Sequence, residues 1–317
     1  YTCYMINDDY EVVATGSLFG NTLRCLAVNN KYQGEGLLNQ IVTHLMSVQY
    51  ERGNTHLFVY TKIDSAKFFE SLGFYTITKI DQQLVFMENK RTGFTDYLNQ
   101  LKQETPVHYL FKEKRNAAIV MNANPFTLGH LYLLETASKA CDCLHLFVVS
   151  EDASLVSFET RKKLIIEGSK HLTNIIYHDS GSYIISSSTF PSYFQKDEES
   201  VIKGHALLDL SIFKDISATL AINVRYVGNE PTSFVTNLYN QIMATELPKA
   251  NIECIIIERK EINKRAISAS IVRQAIKDNN LELLLELVPQ STYDFFMSDE
   301  AKPIIEKIQN EDNVLHY

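Results

Sequence analysis

From Asn116 onward five short apolar runs, "AAIVMN", "LHLFVVS", "NIIYHD", "NVRYVG" and "IECIIIE", alternate with longer segments that mostly have helical spacing. Apolar runs of this length suit strands buried on both faces, and strands separated by helices pair in parallel. The alternation predicts a parallel sheet with helices on both sides, over residues 116–317. Ligands of such sheets bind beyond the carboxyl ends of the strands, where loops lead into helices. The residues in those loops therefore decide what the chain can do.

The first ninety residues follow another pattern. "TCYMIND", "EVVATGSLFG" and "TLRCLAV" read as strands, "NNKYQGEG" interrupts, and "LLNQIVTHLMSVQYERG" carries the apolar face of a helix closed by Gly53. "THLFVYT" reads as a buried strand, "DSAKFFESLG" as a short helix and "QQLVFME" as a last strand. A polar segment over 91–115 holds one expected helix, "FTDYLNQLKQET", and reads as a linker between an α/β domain at 1–90 and the domain at 116–317. At 317 residues and 45% hydrophobic content the chain is long enough for two packed cores.

A net charge of −8 excludes a surface built to neutralise nucleic-acid phosphates, so no nucleic-acid partner is expected. No run approaches the roughly 20 apolar residues of a membrane helix. The amino terminus shows no basic segment followed by an apolar one, so no signal peptide is expected. It lacks Met, so a natural start upstream of Tyr1 is expected. Five cysteines without a CxxC pair suit a reducing cytoplasm, and Cys141 and Cys143 read as packing residues rather than metal ligands.

The loop after the first strand of the second domain, "MNANPFTLGH", combines Asn122, Asn124, Pro125, Phe126, Thr127, Gly129 and His130. A following helix directs its free N–H groups and dipole at this loop, which favours an anion. Gly129 leaves room for close approach, and Thr127 and His130 add donors. The competing reading is a capped helix, with Thr127 as N-cap and His130 a satisfied polar residue. Three further strand ends tip the balance toward a nucleoside triphosphate. "RAISASIVRQAI" offers Ser268, Ser270 and Arg273 at a second helix start. "VRYVGNEP" offers Arg225, Gly228 and Glu230. "SFETRKKLIIEG" offers Arg161.

"NPFTLGH" and "ISASIVR" resemble the T/H-x-G-H and I-S-x-S/T-x-x-R signatures of the nucleotidyltransferase superfamily, whose members have a Rossmann-like parallel sheet. The resemblance implies that Thr127, Gly129 and His130 contact ATP phosphates, and that Ser268, Ser270 and Arg273 contact the β and γ phosphates. "KYQGEGLL" resembles the pyrophosphate loop of the GNAT acetyltransferases, so Lys31, Gln33, Gly34 and Gly36 would hold a coenzyme-A-like arm on an acetyltransferase-like mixed sheet. Where many such enzymes carry a proton-donating Tyr, this chain has Phe69, which has no proton to give. The domain is therefore expected to hold the arm without transferring acetyl itself, and a purely structural role is the alternative.

The pairing of these two motif sets, with stretches such as "RYVGNEPTSFVTNLYNQIM", resembles the citrate lyase ligases. That resemblance implies adenylation of acetate by ATP, assisted by Mg²⁺, followed by transfer of acetyl to the thiol of the prosthetic arm on the citrate lyase acyl carrier subunit. His130 and Thr127 would serve the α-phosphate, and Arg273, Ser268 and Ser270 the leaving pyrophosphate. The rival readings are an adenylyltransferase acting on a phosphorylated acceptor, a non-catalytic nucleotide sensor or assembly factor, and an N-acetyltransferase.

Overall fold

The computed structural model describes residues 1–80, 84–150, 154–184, 198–229, 234–262, 265–312 and 314. By contact the chain divides into two units, Tyr1–Tyr97 with Ser187–Ser211, and Leu98–Ser186 with Ile212–Tyr317.

The first unit is a mixed sheet. Its strands are β1 (Thr2–Ile6), β2 (Val12–Phe19), β3 (Thr22–Val28), β4 (Phe58–Thr61), β5 (Tyr75–Ile80) and β6 (Leu84–Glu88), in the order β1-β2-β3-β4-β6-β5. All neighbours run antiparallel except β3 and β4. That parallel pair needs a crossover, which α1 (Leu37–Glu51) provides. Ile41, Val42 and Leu45 fall on one helical face and are buried. They press so closely on β2 that a Cβ at Gly16 would lie 2.6 Å from the Ile41 side chain. After β4, α2 (Ile63–Ser71) buries Phe69, whose ring meets Phe74 edge-on at 5.9 Å.

The mixed sheet contains one strand that the sequence did not predict. β5, "YTITKI", is an edge strand with an intermediate-to-exposed pattern, and its polar residues carry no buried apolar run to betray it. The expected linker helix is α3 (Gly93–Glu104).

The second unit carries five parallel strands: β7 (Asn116–Met121), β8 (Cys143–Val148), β9 (Ile175–Asp179), β10 (Val224–Gly228) and β11 (Glu253–Ile257). Their order is β11-β10-β7-β8-β9. α4 (Leu128–Lys139) and α5 (Phe158–Ser169) follow β7 and β8. α6 (Glu198–Leu220) precedes β10, and α7 (Phe234–Glu246) joins β10 to β11. The expected Rossmann-like parallel sheet is observed, and every residue of β8 is buried. Ile119, Leu144, Leu146 and Val148 from the strands meet Leu134 and Leu164 from the helices in one apolar core. Each such side chain contributes about 1.5–3 kcal/mol on burial.

A two-residue hairpin follows, β12 (Glu261–Ile262) with β13 (Arg265–Ala266), then α8 (Ala269–Lys277), α9 (Leu281–Leu287), α10 (Gln290–Phe296) and α11 (Lys302–Asn310). The strand order turns outward from β7 in both directions, so loops after β7 and β10 diverge. That divergence opens a crevice at the carboxyl ends of the strands.

Candidate active site

The crevice is a cleft of about 640 Å³, within the usual range for a small-molecule site. One wall is the loop after β7 with the start of α4, and the facing wall is the segment Ile267–Ser270 with the start of α8. The two predicted motifs thus share one cavity.

Their closeness has a specific cause. A Cβ at Gly129 would lie 3.1 Å from the Ile267 backbone oxygen. The missing side chain makes room for the second motif's own backbone, a use that its sequence position did not reveal.

Thr127 and His130 form a capping box. Thr127 Oγ1 accepts from the His130 N–H at 3.3 Å, and the Thr127 N–H donates to His130 Nδ1 at 3.1 Å. A backbone N–H is a fixed donor, so Nδ1 is an acceptor and a neutral ring carries its proton on Nε2. Burial, with Arg259 adding positive charge nearby, pushes the His130 pKa down to about 4. At neutral pH His130 is therefore an uncharged donor in the cleft. The capped-helix reading holds of these residues: Thr127, itself buried, caps the helix and orients His130.

Ser268 caps α8 by accepting from the Ile271 N–H at 3.3 Å. Ser270 lines the cleft and accepts from Arg273 Nη2 at 3.4 Å. Arg273 also borders the cleft but is 1% exposed. Its Nε and Nη1 each donate at 2.6 Å, to the carbonyls of Val314 and Asn124. It ties the α8 helix to the loop after β7. Asn124 fixes that loop a second time, since its Oδ1 accepts from the Val156 N–H at 3.0 Å. Its Nδ2 is buried without a hydrogen-bond partner among the described residues. Asn122 and Gly228 line the cleft as well.

Five of the expected ATP contacts lie away from the cleft or outside the described residues. Arg161 is fully buried behind the cleft wall, donating to the carbonyls of Val156, Asn122 and Val149 and to Asn122 Oδ1 at 2.8–3.0 Å. It holds Asn122 in place. Arg225 lies over the Phe213 ring of α6, 4.1 Å from its centroid, and does not line the cleft. Phe126 is buried in the core beneath the loop, so close to α5 that a Cβ at Gly168 would meet its ring at 2.6 Å. Pro125 is buried and likewise absent from the cleft wall. Glu230 falls outside the described residues.

Cations that the sequence reading passed over take their place. Arg259 and Lys260 follow β11 and line the cleft beside Asn229, whose carbonyl accepts from Arg259 Nε at 2.8 Å. Glu258 is held by the Asn229 side chain at 2.9 Å. The signal was present in "IIIERKE", because the carboxyl end of the fifth strand is subject to the same rule as the others.

In the first unit, Gly34 and Gly36 have φ of 91° and 76°, and a Cβ at either would meet nothing within 4 Å. Gly36 begins α1 without a side-chain cap. Lys31 and Gln33 belong to the preceding turn, where Asn29 accepts from the Lys31 N–H and Asn30 from Gln33 Nε2. Among the described residues no group of three or more His, Cys, Asp or Glu is placed to hold a metal. No described helix is long and apolar enough to cross a membrane.

The model of the citrate lyase ligase C-terminal domain matches residues 116–296. A citrate (pro-3S)-lyase ligase of Klebsiella pneumoniae is 40% identical over 292 residues, covering 90% of this chain and 84% of that protein. The chain belongs to the citrate lyase ligase family. It is accordingly an enzyme of the ligase class.

Among solved structures, the Thermotoga maritima TmcAL bound with alpha-thio ATP is similar at 13% identity and a TM-score of 0.40, over 60% of this chain and 57% of that one. The Escherichia coli ribosomal-protein-S18-alanine N-acetyltransferase is similar at 21% identity and a TM-score of 0.25, over 28% of this chain and 66% of that one.

Proposed function

We propose that this ligase activates citrate lyase by acetylating the thiol of the coenzyme-A-like arm on its acyl carrier subunit. ATP and acetate supply the acetyl group through acetyl-AMP, and AMP and pyrophosphate are released. The observation that carries the reading is the meeting of the α4 and α8 starts across one cleft, through Gly129 and Ile267. Two helix starts facing one cavity present amides and hydroxyls to a chain of phosphates.

In the first step a carboxylate oxygen of acetate attacks the α-phosphorus and the bond to pyrophosphate breaks. Acetate is already ionised, so no general base is needed, and catalysis rests on alignment and charge stabilisation. His130 Nε2–H donates to the α-phosphate as charge builds there. The Ser268 and Ser270 end of α8, with Arg259 and Lys260, takes the leaving pyrophosphate. Arg273 and Asn124 hold the loop in register, and the Asn124 Nδ2 amide is a further donor for the nucleotide. Glu258 is the one carboxylate among the described cleft residues, and Asn229 already holds it. Bound with the nucleotide, a Mg²⁺ ion would offset the negative charge of the phosphates, and Glu258 is the described cleft residue whose carboxylate would help hold it.

In the second step the carrier thiol displaces AMP from acetyl-AMP. Residues 1–90 would steer the arm through Lys31, Gln33, Gly34 and Gly36, with 91–115 as linker and 116–317 carrying the adenylation chemistry. Phe69, packed in the core, supports a holding role over an acetyltransferase role. None of the five cysteines forms a disulfide, which suits the cytoplasm.

The test is mass analysis of the carrier subunit after incubation with ATP and acetate. A gain of one acetyl group, with AMP formed only when acetate is present, is expected. AMP joined to the carrier or its arm would identify an adenylyltransferase instead.

A further inference from the structure

A smaller cavity of about 340 Å³ opens where β10 and β11 begin, at the opposite end of the parallel sheet from the cleft. Ala218, Ala221, Ile222, Ala250 and Ile252 give it an apolar lining, and Lys112 and Lys214 stand in its wall. Neither lysine has an ion-pair partner among the described residues.

Two lining residues also carry a buried polar atom without a hydrogen-bond partner among the described residues, Ser217 Oγ and Asn223 Oδ1. Ser217 is 3% exposed. A helical hydroxyl usually satisfies itself on the carbonyl four residues back. Thr219, two residues on, does so with Asp215 at 2.9 Å, and Ser217 does not. The orientation of Asn223 is set by its Nδ2, which donates to the Lys114 carbonyl at 2.6 Å, so Oδ1 remains the acceptor. Buried polar atoms are nearly always paired, and leaving one unpaired is costly. Here the two residues that carry them line one cavity with two lysines.

We propose that this cavity is a second ligand site, taking a small hydroxycarboxylate anion. Lys112 and Lys214 attract the carboxylate, and the Ser217 hydroxyl donates to it. The ligand's own hydroxyl donates to Asn223 Oδ1, and its carbon skeleton lies on the alanine and isoleucine lining. A plain carboxylate leaves Asn223 Oδ1 unpaired. An amino acid brings an ammonium beside two lysines. Because the site lies at the amino-terminal ends of the strands, it is separate from the acetate position proposed for the cleft and does not depend on that reaction.

The full chain is titrated calorimetrically with L-malate and, at matched ionic strength, with succinate, which lacks the hydroxyl. Malate is expected to bind at least tenfold more tightly than succinate. Lys214→Gln and Ser217→Ala should each weaken malate at least tenfold while leaving ATP binding unchanged, since neither residue lines the cleft. Ala218→Leu, at an exposed helix position, fills the cavity and should abolish malate binding by a second route. Equal affinity for malate and succinate overturns the proposal. So does malate binding that survives Lys214→Gln and Ala218→Leu, that ATP displaces, or that is absent up to 10 mM.

Discussion

Because the Thr127 N–H occupies Nδ1, the neutral ring of His130 has only Nε2–H to offer a ligand. A neutral donor is replaceable in part by another neutral donor, whereas a charged acid is not. We expect His130→Ala to slow acetate-dependent pyrophosphate release by about 10²-fold, the scale of losing one transition-state donor. His130→Gln should retain more activity than His130→Ala, because its amide is uncharged and reaches a similar distance. Equal rates for the two variants would remove His130 from the chemistry. Arg273 makes the opposite case. Its guanidinium spends its Nε and Nη1 hydrogens on the carbonyls of Val314 and Asn124. Arg273→Lys keeps the charge but cannot reproduce that fork. ATP binding and melting temperature should fall together, and full rescue by Lys would make the role electrostatic.

At the scale of elements, the site is two helix starts held at a fixed spacing. Both caps were legible in sequence, because a Thr or Ser ahead of an apolar-periodic segment is a local signal. That Gly129 exists for the Ile267 carbonyl was not legible, since the contact joins residues far apart in the chain. Gly129→Ala adds a methyl group 3.1 Å from that oxygen, and backbone cannot swing aside as a side chain does. Helix propensity alone would favour Ala by up to about 1 kcal/mol. The substitution should therefore change stability little yet lower kcat/KM for ATP about tenfold or more through misplacement. Unchanged kinetics, measured by pyrophosphate exchange, would show that the helix spacing does not matter.

For the whole molecule, the half-buried His130 and the buried His145 set the acid limit. His130 is held near pKa 4, and His145, buried in β8 against His178 at 3.0 Å, is held near 3. Burial is the larger cause in both. Both folded values lie below that of an unfolded histidine, about 6.5. The unfolded chain therefore takes up protons first as pH falls. Stability is complete above about pH 6.5 and declines below it, by at most roughly 1.4 kcal/mol per pH unit for each residue. Below about pH 4.5 Glu104 adds to the decline, because its bond from His178 at 2.7 Å keeps its carboxyl below the usual range. Urea unfolding at pH 7 and pH 4.5 should differ by a few kcal/mol, and His145→Gln should flatten the slope. A flat profile would mean that neither ring has its pKa lowered in the folded chain.

The alternation of five apolar runs with helical segments was enough to determine the parallel sheet, because burial on both faces leaves a strand little freedom in composition. The two capped motifs were likewise local, and their pairing with the "KYQGEGLL" loop and stretches such as "RYVGNEPTSFVTNLYNQIM" carried the resemblance to the family before any coordinate was needed. The choice among arginines belonged to tertiary structure. Arg161 lies on the buried face of α5, and Arg225 points toward α6 from the amino-terminal half of β10. Arg259 and Lys260 instead follow the last residue of β11 and reach the cleft. A strand-end rule locates loops, but a long side chain goes where register and packing leave room, and those are set by residues distant in the chain.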